Sequence, residues 1–259
     1  MDIFLIIGMI TGLLAIIVGM IVKGADVAVL LNPAAALIIL VGTVAAVMNS
    51  FPKKEFLNIP KILGVLFKEK KGEDPVEIIG QIVEMSQSTR KNGLLSLESV
   101  MQSLDNKFMK KGLEMVVDGV EAEYIRNILE MEIDSMEERH RTGASVFTTA
   151  GGAAPTLGVL GAVVGLIGAL ADLSDTEKLA HMIAGAFVAT LYGIFFGYVI
   201  FHPFASRLKR KSQEEINNMY IILEGILSIQ EGQSPKNIEN KLLSMINPNE
   251  RKSMEDKNS

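Results

Sequence analysis

The 259-residue sequence contains no cysteine and no tryptophan. The absence of cysteine excludes a disulfide framework and any cysteine-based metal or redox site. Charge is also missing over long stretches: no Asp, Glu, Lys or Arg occurs within residues 3–22, 34–48, 146–171 and 182–201. Because 49% of the residues are hydrophobic and the mean hydropathy is positive, part of this apolar surface must face membrane lipid.

Four apolar stretches are long enough to cross a membrane, since a helix needs about 20 mostly apolar residues to span a hydrocarbon core of about 30 Å. We therefore predict an all-α, polytopic membrane protein with four transmembrane helices and a helical cytoplasmic domain. Its membrane segments one to four are Ile3–Val22 and residues 27–48, 146–171 and 179–201. The predicted domains are a transmembrane hairpin (1–50), a cytoplasmic helical domain (51–145), a second transmembrane hairpin (146–203), and C-terminal cytoplasmic helices with a disordered tail (204–259).

The basic residues that flank the segments predict the orientation, because lysine and arginine beside a membrane span stay on the cytoplasmic side. The short links after segments one and three contain only Lys23 and Lys178. The opposite side is far richer in basic residues: Lys53, Lys54, Lys61, Lys68, Lys70, Lys71, Arg126, Arg139, Arg141, Arg207, Lys209, Arg210 and Lys211. Both termini are therefore predicted to be cytoplasmic. The net charge of −5 argues against nucleic acid as a partner.

Outside the membrane segments, apolar residues recur at helical spacing. Asp74-Pro75 begins one helix, because aspartate caps an N-terminus and proline suits the first turn, and Asn92-Gly93 ends it. Further helices are predicted over residues 94–104, 107–117, 120–140, 214–230 and 235–245. The polar end of the chain, residues 247–259, is predicted to be disordered.

Small residues mark packing faces within the membrane, where helix association relies on close backbone approach. Segment four has small residues at four-residue spacing: Gly185, Ala189, Gly193 and Gly197. Segment three has a similar series: Gly161, Gly165 and Ala169. Glycine is common in membrane spans in general, which is the alternative explanation for any single pair. A register of four favours a packing face.

Pro155 lies inside segment three and cannot donate a hydrogen bond to the Gly151 carbonyl. The helix is therefore predicted to bend or open there, and the freed carbonyl must face protein or a water-filled path. Hydroxyl groups at depth are candidate wall groups for such a path: Thr148, Thr149, Thr156 and Thr190. For each one, the alternative is a hydroxyl bonded back to its own helix.

No carboxylate lies inside the charge-free stretches. Proton relays and ion sites in membranes use such groups at depth. If the protein conducts an ion, the titratable group must therefore come from the helix of a partner.

Five motifs occur in order along the chain. Residues 90–98 read RKNGLLSLE and residues 153–161 read AAPTLGVLG. They are followed by Leu191-Tyr192-Gly193, Phe201-His202-Pro203 and, at residues 231–235, EGQSP. Together with the four-segment topology, they resemble the MotA family of flagellar motor stator subunits. The resemblance extends from segment one to about residue 245.

The resemblance implies a homo-oligomeric ring in the bacterial cytoplasmic (inner) membrane, placed around the membrane helices of two MotB-like partners that supply an aspartate. Arg90 and Glu98 match charged contacts with the rotor protein FliG. Pro155 and Pro203 match prolines of conformational coupling, and Thr190 matches a channel-facing threonine. For Arg90 and Glu98, the alternative is a solvated helical face.

The resemblance also addresses the ion. Sodium-driven relatives carry a threonine seven residues after the proline of segment three, where this chain has Ala162. A methyl group offers no ligand, so we predict that protons are the transported ion and that no cofactor is needed. Thr190 with backbone carbonyls could instead coordinate sodium, which stays the alternative.

Other functions fit the sequence less well. An ExbB or TolQ-type energising subunit would have three membrane helices and an outside N-terminus. A self-sufficient ion channel would need its own polar groups at depth. An enzyme would need a nucleotide motif, metal cluster or catalytic pairing, and the sequence has none that we recognise, so we predict that the protein is not an enzyme.

Overall fold

The computed structural model describes residues 2–68, 73–171, 173–248 and 251, and this part of the chain contains helices and no strands. The predicted all-α fold is therefore confirmed. Lys70, Lys71 and most of the predicted disordered tail lie outside the described residues. The α-helices are α1 (Ile3–Val22), α2 (Pro33–Ser50), α3 (Lys53–Phe56), α4 (Ile59–Phe67), α5 (Pro75–Asn92), α6 (Leu97–Met101), α7 (Lys107–Val117), α8 (Ala122–Leu170), α9 (Thr176–Ile194), α10 (His202–Gln230) and α11 (Pro235–Leu243).

Four helical stretches are long and apolar enough to cross a membrane: Ile3–Val22, Val27–Ser50, Ala122–Leu170 and Thr176–Gln230. The four predicted membrane helices are confirmed. Segment one coincides with α1. In segment two, the α-helix begins at Pro33, after a 3-10 turn at Val27–Leu30, because a residue before proline is disfavoured in helical conformation. Asn32 caps α2 instead, and its Oδ1 accepts from the Ala35 N–H at 3.0 Å.

Segments three and four continue without a break into helices that the sequence analysis treats as separate. The helix α8 has 49 residues and joins the predicted helix 120–140 to segment three. Segment four joins α10 through a π-helical turn at Phe195–Phe201. No proline or capping signal lies between residues 140 and 146, and Gly143 alone does not end a helix. The predicted domain limits at residues 145 and 203 thus fall within continuous helices.

The chain forms two compact units. The first comprises Met1–Lys70 and His140–Arg210 and contains the four charge-free runs, residues 3–22, 34–48, 146–171 and 182–201. The second comprises Lys71–Arg139 and Lys211–Ser259. Its core is a set of fully buried aliphatic side chains from α5, α7, α8 and α10, which includes Ile79, Ile82, Leu113, Leu129 and Ile222.

Local signals set the helix ends of the second unit. Asp74 caps α5 by accepting from the Val76 N–H at 3.0 Å, and Gly93 follows with φ +79°, a conformation that favours glycine. The helix α7 has the predicted bounds, and Ser234 caps α11. The predicted helix 94–104 is a 3-10 turn, Leu94–Ser96, followed by α6.

Candidate functional site: the seam between α8 and α9

The helices α8 and α9 approach each other so closely that only glycine fits at their contact. A Cβ atom built on Gly193 would lie 2.6 Å from the Ala154 carbonyl oxygen and 2.9 Å from the Gly158 Cα. A Cβ atom on Gly158 would lie 2.9 Å from the Ala189 carbonyl oxygen. Because these neighbours are backbone atoms, no side-chain adjustment could make room. Close backbone approach of this kind is the usual way in which membrane helices associate.

The contact continues along both helices. A Cβ atom on Gly161 would lie 2.9 Å from the Ala189 Cβ, and one on Gly165 would lie 3.1 Å from the Ala186 Cβ. Ala189 is buried, with 2% exposure. Gly185 belongs to a different contact, since a Cβ atom there would meet the side-chain amide of Asn32 at 2.9 Å. Of the predicted small residues of segment four, Gly185 therefore faces the start of α2, whereas Ala189, Gly193 and Gly197 face α8.

Pro155 lies against Gly197, within the π-helical turn. A Cβ atom on Gly197 would meet the Pro155 Cγ at 2.7 Å and the Gly151 carbonyl oxygen at 2.9 Å. This carbonyl is the one that Pro155 leaves without a helical donor. It therefore faces protein, which is one of the two environments required of a freed carbonyl inside a membrane.

Pro203 explains why the helix widens next to this contact. Pro203 has no N–H group, and its ring would clash with the Val199 carbonyl of a regular α-helix. The His202 N–H instead bonds to the Gly197 carbonyl, five residues back. A single π-helical turn of this kind often marks a functional position. The two predicted coupling prolines thus act on the same small region from facing helices, Pro155 through contact and Pro203 through the π-helical turn.

Three of the four predicted wall hydroxyls, those of Thr148, Thr156 and Thr190, bond to their own helices. The Thr156 hydroxyl donates to the Gly152 carbonyl at 3.3 Å, and the Thr190 hydroxyl donates to the Ala186 carbonyl at 3.4 Å. Thr148 does the same with Ala144 at 3.3 Å. Thr156 is exposed, whereas Thr190 and Ala162 are half-buried. The Cα atom of Thr190 lies beside Gly158, which places this residue on the seam.

The predicted rotor-contact residues lie in the second unit. Arg90 is in the last turn of α5 and Glu98 is in the first turn of α6. Both are exposed. The turn between them is held by the Ser88 hydroxyl, which donates to the Ser96 hydroxyl oxygen at 3.3 Å. The two charges are thus presented to solvent on a fixed turn.

Sequence reasoning missed several polar contacts of the first unit. Asp2 is 5% exposed and caps α1, and its Oδ2 accepts from the Arg207 Nε at 2.8 Å. The capping role of Asp2 could have been predicted, because an aspartate directly before twenty apolar residues is a helix N-cap signal. The Tyr192 hydroxyl donates to the Leu30 carbonyl. The Thr43 hydroxyl is buried without a hydrogen-bond partner among the described residues and lines an apolar cavity of about 520 Å³.

A charged cluster ties three helices of the second unit together. The Arg126 Nη1 donates to the Glu224 Oε1 at 2.7 Å, and the Lys241 Nζ pairs with the Glu224 Oε2 at 2.7 Å. Burial raises the pKa of Glu224, but the hydrogen bonds from Arg126 and Lys241 outweigh it and hold the pKa below its ordinary value. No group of three His, Cys, Asp or Glu residues that could hold a metal ion occurs among the residues that were placed.

Sequence comparison relates the chain to known proteins. The family model described as the MotA/TolQ/ExbB proton channel family matches residues 100–221. Motility protein A of Bacillus subtilis is 50% identical over 94% of this chain and 90% of its own length. Chemotaxis protein PomA of Vibrio alginolyticus is 33% identical over 97% and 98% of the two chains.

Solved structures match over almost the whole chain. A chain of the flagellar MotAB stator complex from Bacillus subtilis aligns with a TM-score of 0.90 at 50% identity, and covers 96% of this chain and 97% of its own. A chain of C. jejuni MotAB aligns with the same score at 34% identity and the same coverage. The chain belongs to the MotA/TolQ/ExbB proton channel family of membrane proteins. Within that family it is a MotA-type stator subunit of the flagellar motor.

Proposed function

We propose that this stator subunit forms a homo-oligomeric ring around a MotB-type partner and transports protons through the complex. The charge-free interiors of the four membrane helices carry this proposal. An ion that crosses the membrane needs a titratable or coordinating group at depth, and the MotB-type partner would supply it as an aspartate. The MotAB composition of the two matching complexes supports the choice of partner.

Protons are favoured over sodium by the side chains near the seam. Ala162 offers only a methyl group, which provides no oxygen ligand for a cation. A dehydrated sodium ion needs several oxygen ligands, whereas a proton needs only one titratable carboxylate and a path of water. In this proposal the subunit contributes the closely packed helices around the ion path, and the partner contributes the titratable carboxylate.

Coupling is proposed to occur at the contact of Pro155 with the π-helical turn. Protonation would remove the charge of the partner's aspartate and change how it packs against the Pro155 and Thr190 region. A π-helical turn can shift its hydrogen bonds at small cost, because its ladder is already irregular. The ring would then advance relative to the partner, and no covalent chemistry on the subunit is required.

The rotor contact is proposed to be made with FliG through Arg90 and Glu98. Both charges are exposed on the fixed turn between α5 and α6. The basic flanks of the membrane segments support an orientation in which this unit and both termini lie on the cytoplasmic side of the bacterial inner membrane, where the rotor would be reached.

Arg90→Glu tests this contact directly. Like charges placed opposite each other cost several kcal/mol at an interface, so we expect swimming and torque on a tethered flagellum to fall close to those of a strain without the gene. Co-purification of the variant with its partner should remain at the native level, because Arg90 is exposed and makes no contact in the core.

Lys91→Glu is the matched control, since Lys91 is also exposed in the last turn of α5. It makes the same change of net charge and the same change at the helix C-terminus. It should leave torque near the native value. If Arg90→Glu prevents assembly, or if both variants lose torque equally, Arg90 is not a specific rotor contact.

A further inference from the structure

A groove with an apolar wall and two arginines lies between α1, the π-helical turn and α10. It has a volume of about 500 Å³, and its lining includes Phe4, Gly8, Tyr198, Ser206, Arg207 and Arg210. All of these residues belong to the first compact unit. The groove shares the π-helical turn and Pro203 with the proposed coupling contact, but none of its lining residues belongs to α8 or α9, and the proposed rotor contact makes no use of it.

The groove lies at the boundary between apolar and polar chain. The charge-free run of α1 begins at residue 3, and segment four ends at residue 201, two residues before Pro203 and six before Arg207. Phe4 is 82% exposed and Tyr198 is 63% exposed. An exposed tyrosine at such a boundary is typical of the level at which lipid headgroups lie.

The two arginines differ in their surroundings. The Arg207 Nε and Nη2 both donate to the Oδ2 of the buried Asp2, at 2.8 and 2.5 Å, and these two bonds fix the guanidinium at the wall of the groove. A guanidinium has five N–H donors in a planar fork, so Arg207 has donors left for a second acceptor. Arg210 lies one turn further along α10 and forms no ion pair with a described residue.

We infer that this groove binds an anionic phospholipid of the adjoining leaflet, with its phosphate between Arg207 and Arg210 and part of an acyl chain along Gly8 and Phe4. Charge complementarity supports an anionic occupant, because a planar guanidinium recognises phosphate through paired hydrogen bonds. The apolar wall beside the arginines supports a lipid over a free anion. With the proposed orientation, this is the cytoplasmic leaflet, which carries the anionic lipids.

The absence of native tryptophan permits a direct test. Phe4→Trp places one fluorophore at the groove, and Val22→Trp places one at the other end of α1, where Val22 is 81% exposed. The full-length chain, purified with the partner that co-purifies with it and with every tryptophan of that partner replaced by phenylalanine, is reconstituted in phosphatidylcholine vesicles. Brominated phosphatidylglycerol or brominated phosphatidylcholine is then added as a quencher at increasing mole fraction.

We expect brominated phosphatidylglycerol to quench the Phe4→Trp variant at a low mole fraction and to saturate, whereas the Val22→Trp variant should be quenched in proportion to the mole fraction of either lipid. Adding Arg210→Ala should raise the half-saturating fraction about fivefold, the usual contribution of a basic residue at an anionic surface. Lys209→Ala, which removes the same charge from an exposed residue outside the groove lining, should leave it unchanged.

A second pair of variants tests the groove without altering charge. A Cβ atom on Gly8 meets nothing within 4 Å, and the same is true of Gly19 on the same helix. Gly8→Leu should fill the groove and weaken quenching by phosphatidylglycerol, while Gly19→Leu should not. The two variants carry the same substitution on the same helix and leave Arg207 and Arg210 unchanged. A general loss of folding would therefore affect both variants and not only Gly8→Leu.

Three outcomes would overturn the inference. Equal quenching of the Phe4→Trp variant by both lipids would show an ordinary lipid-facing wall. Reversal of quenching by inorganic phosphate would show a site for a free anion. Absence of quenching by either lipid would show that another protein surface, such as a second copy of this chain, covers the groove.

Discussion

At the scale of single residues, the same amino acid has different roles in different places. Gly193 and Gly152 both lie in membrane-spanning helices of the first unit. A Cβ atom on Gly193 would collide with backbone of α8, whereas one on Gly152 would meet nothing within 4 Å. Glycine at residue 193 is thus required by close packing. At residue 152 it only lowers helix propensity.

Gly193→Ala should therefore destabilise the protein by about 1–3 kcal/mol, the usual cost of inserting a methyl group where the core cannot adjust. The thermal midpoint of the full-length chain in detergent measures this loss. Gly152→Ala is the matched control and should be neutral or slightly stabilising, since alanine favours a helix by up to about 1 kcal/mol. Equal midpoints for the two variants would mean that the seam does not need glycine.

At the scale of elements, the sequence predicted what local signals determine. The caps at Asp74 and Ser234 and the apolar run of α1 lie within a few residues of the helices that they define. Contacts between distant residues had no such signal. Asp2 and Arg207 are 205 residues apart, and nothing in the spacing of segment four assigns Gly185 to Asn32 and Gly193 to Gly158. The π-helical turn also escaped prediction, because Pro203 alone allows a kink, a break or a widened turn.

The Glu224 cluster shows how elements of the second unit are joined. Glu224 lies on α10 and pairs with Arg126 of α8 and Lys241 of α11. A carboxyl group whose pKa is lowered by folding stabilises the protein above its unfolded pKa. That stabilisation is lost as the pH falls through the lowered folded pKa.

Glu224→Gln should lower the stability of the full-length chain at pH 7 by about 1–2 kcal/mol, because it weakens two charge-assisted hydrogen bonds. The ordinary pKa of the group is 4.5, so the difference from the native protein should persist down to about that pH and shrink below it. Thermal midpoints at several pH values measure the difference. Glu214→Gln, an exposed change on the same helix, should show no difference at any pH. A Glu224 effect that does not depend on pH would mean that packing, and not charge, gives the stability.

At the scale of the whole molecule, the four membrane helices, the MotA family and the stator role all followed from the sequence. The charge-free interiors led to the prediction that any titratable group comes from a partner, and the motifs identified the family. The sequence could not show that Pro155 and the turn before Pro203 meet at one contact, because they lie on different helices. The proposed site of coupling therefore rests on the contact of Pro155 with the π-helical turn in the structure. The proposal that protons are the transported ion rests on the sequence, through Ala162 and the absence of a carboxylate from the membrane segments.

The most direct test of the account is the swimming speed of the native organism, measured against external sodium at fixed pH, with and without a protonophore. Proton coupling predicts a speed that does not change with sodium and collapses when the protonophore is added. A speed that rises with sodium and survives the protonophore would contradict the account and would show that this stator binds sodium without a threonine at residue 162.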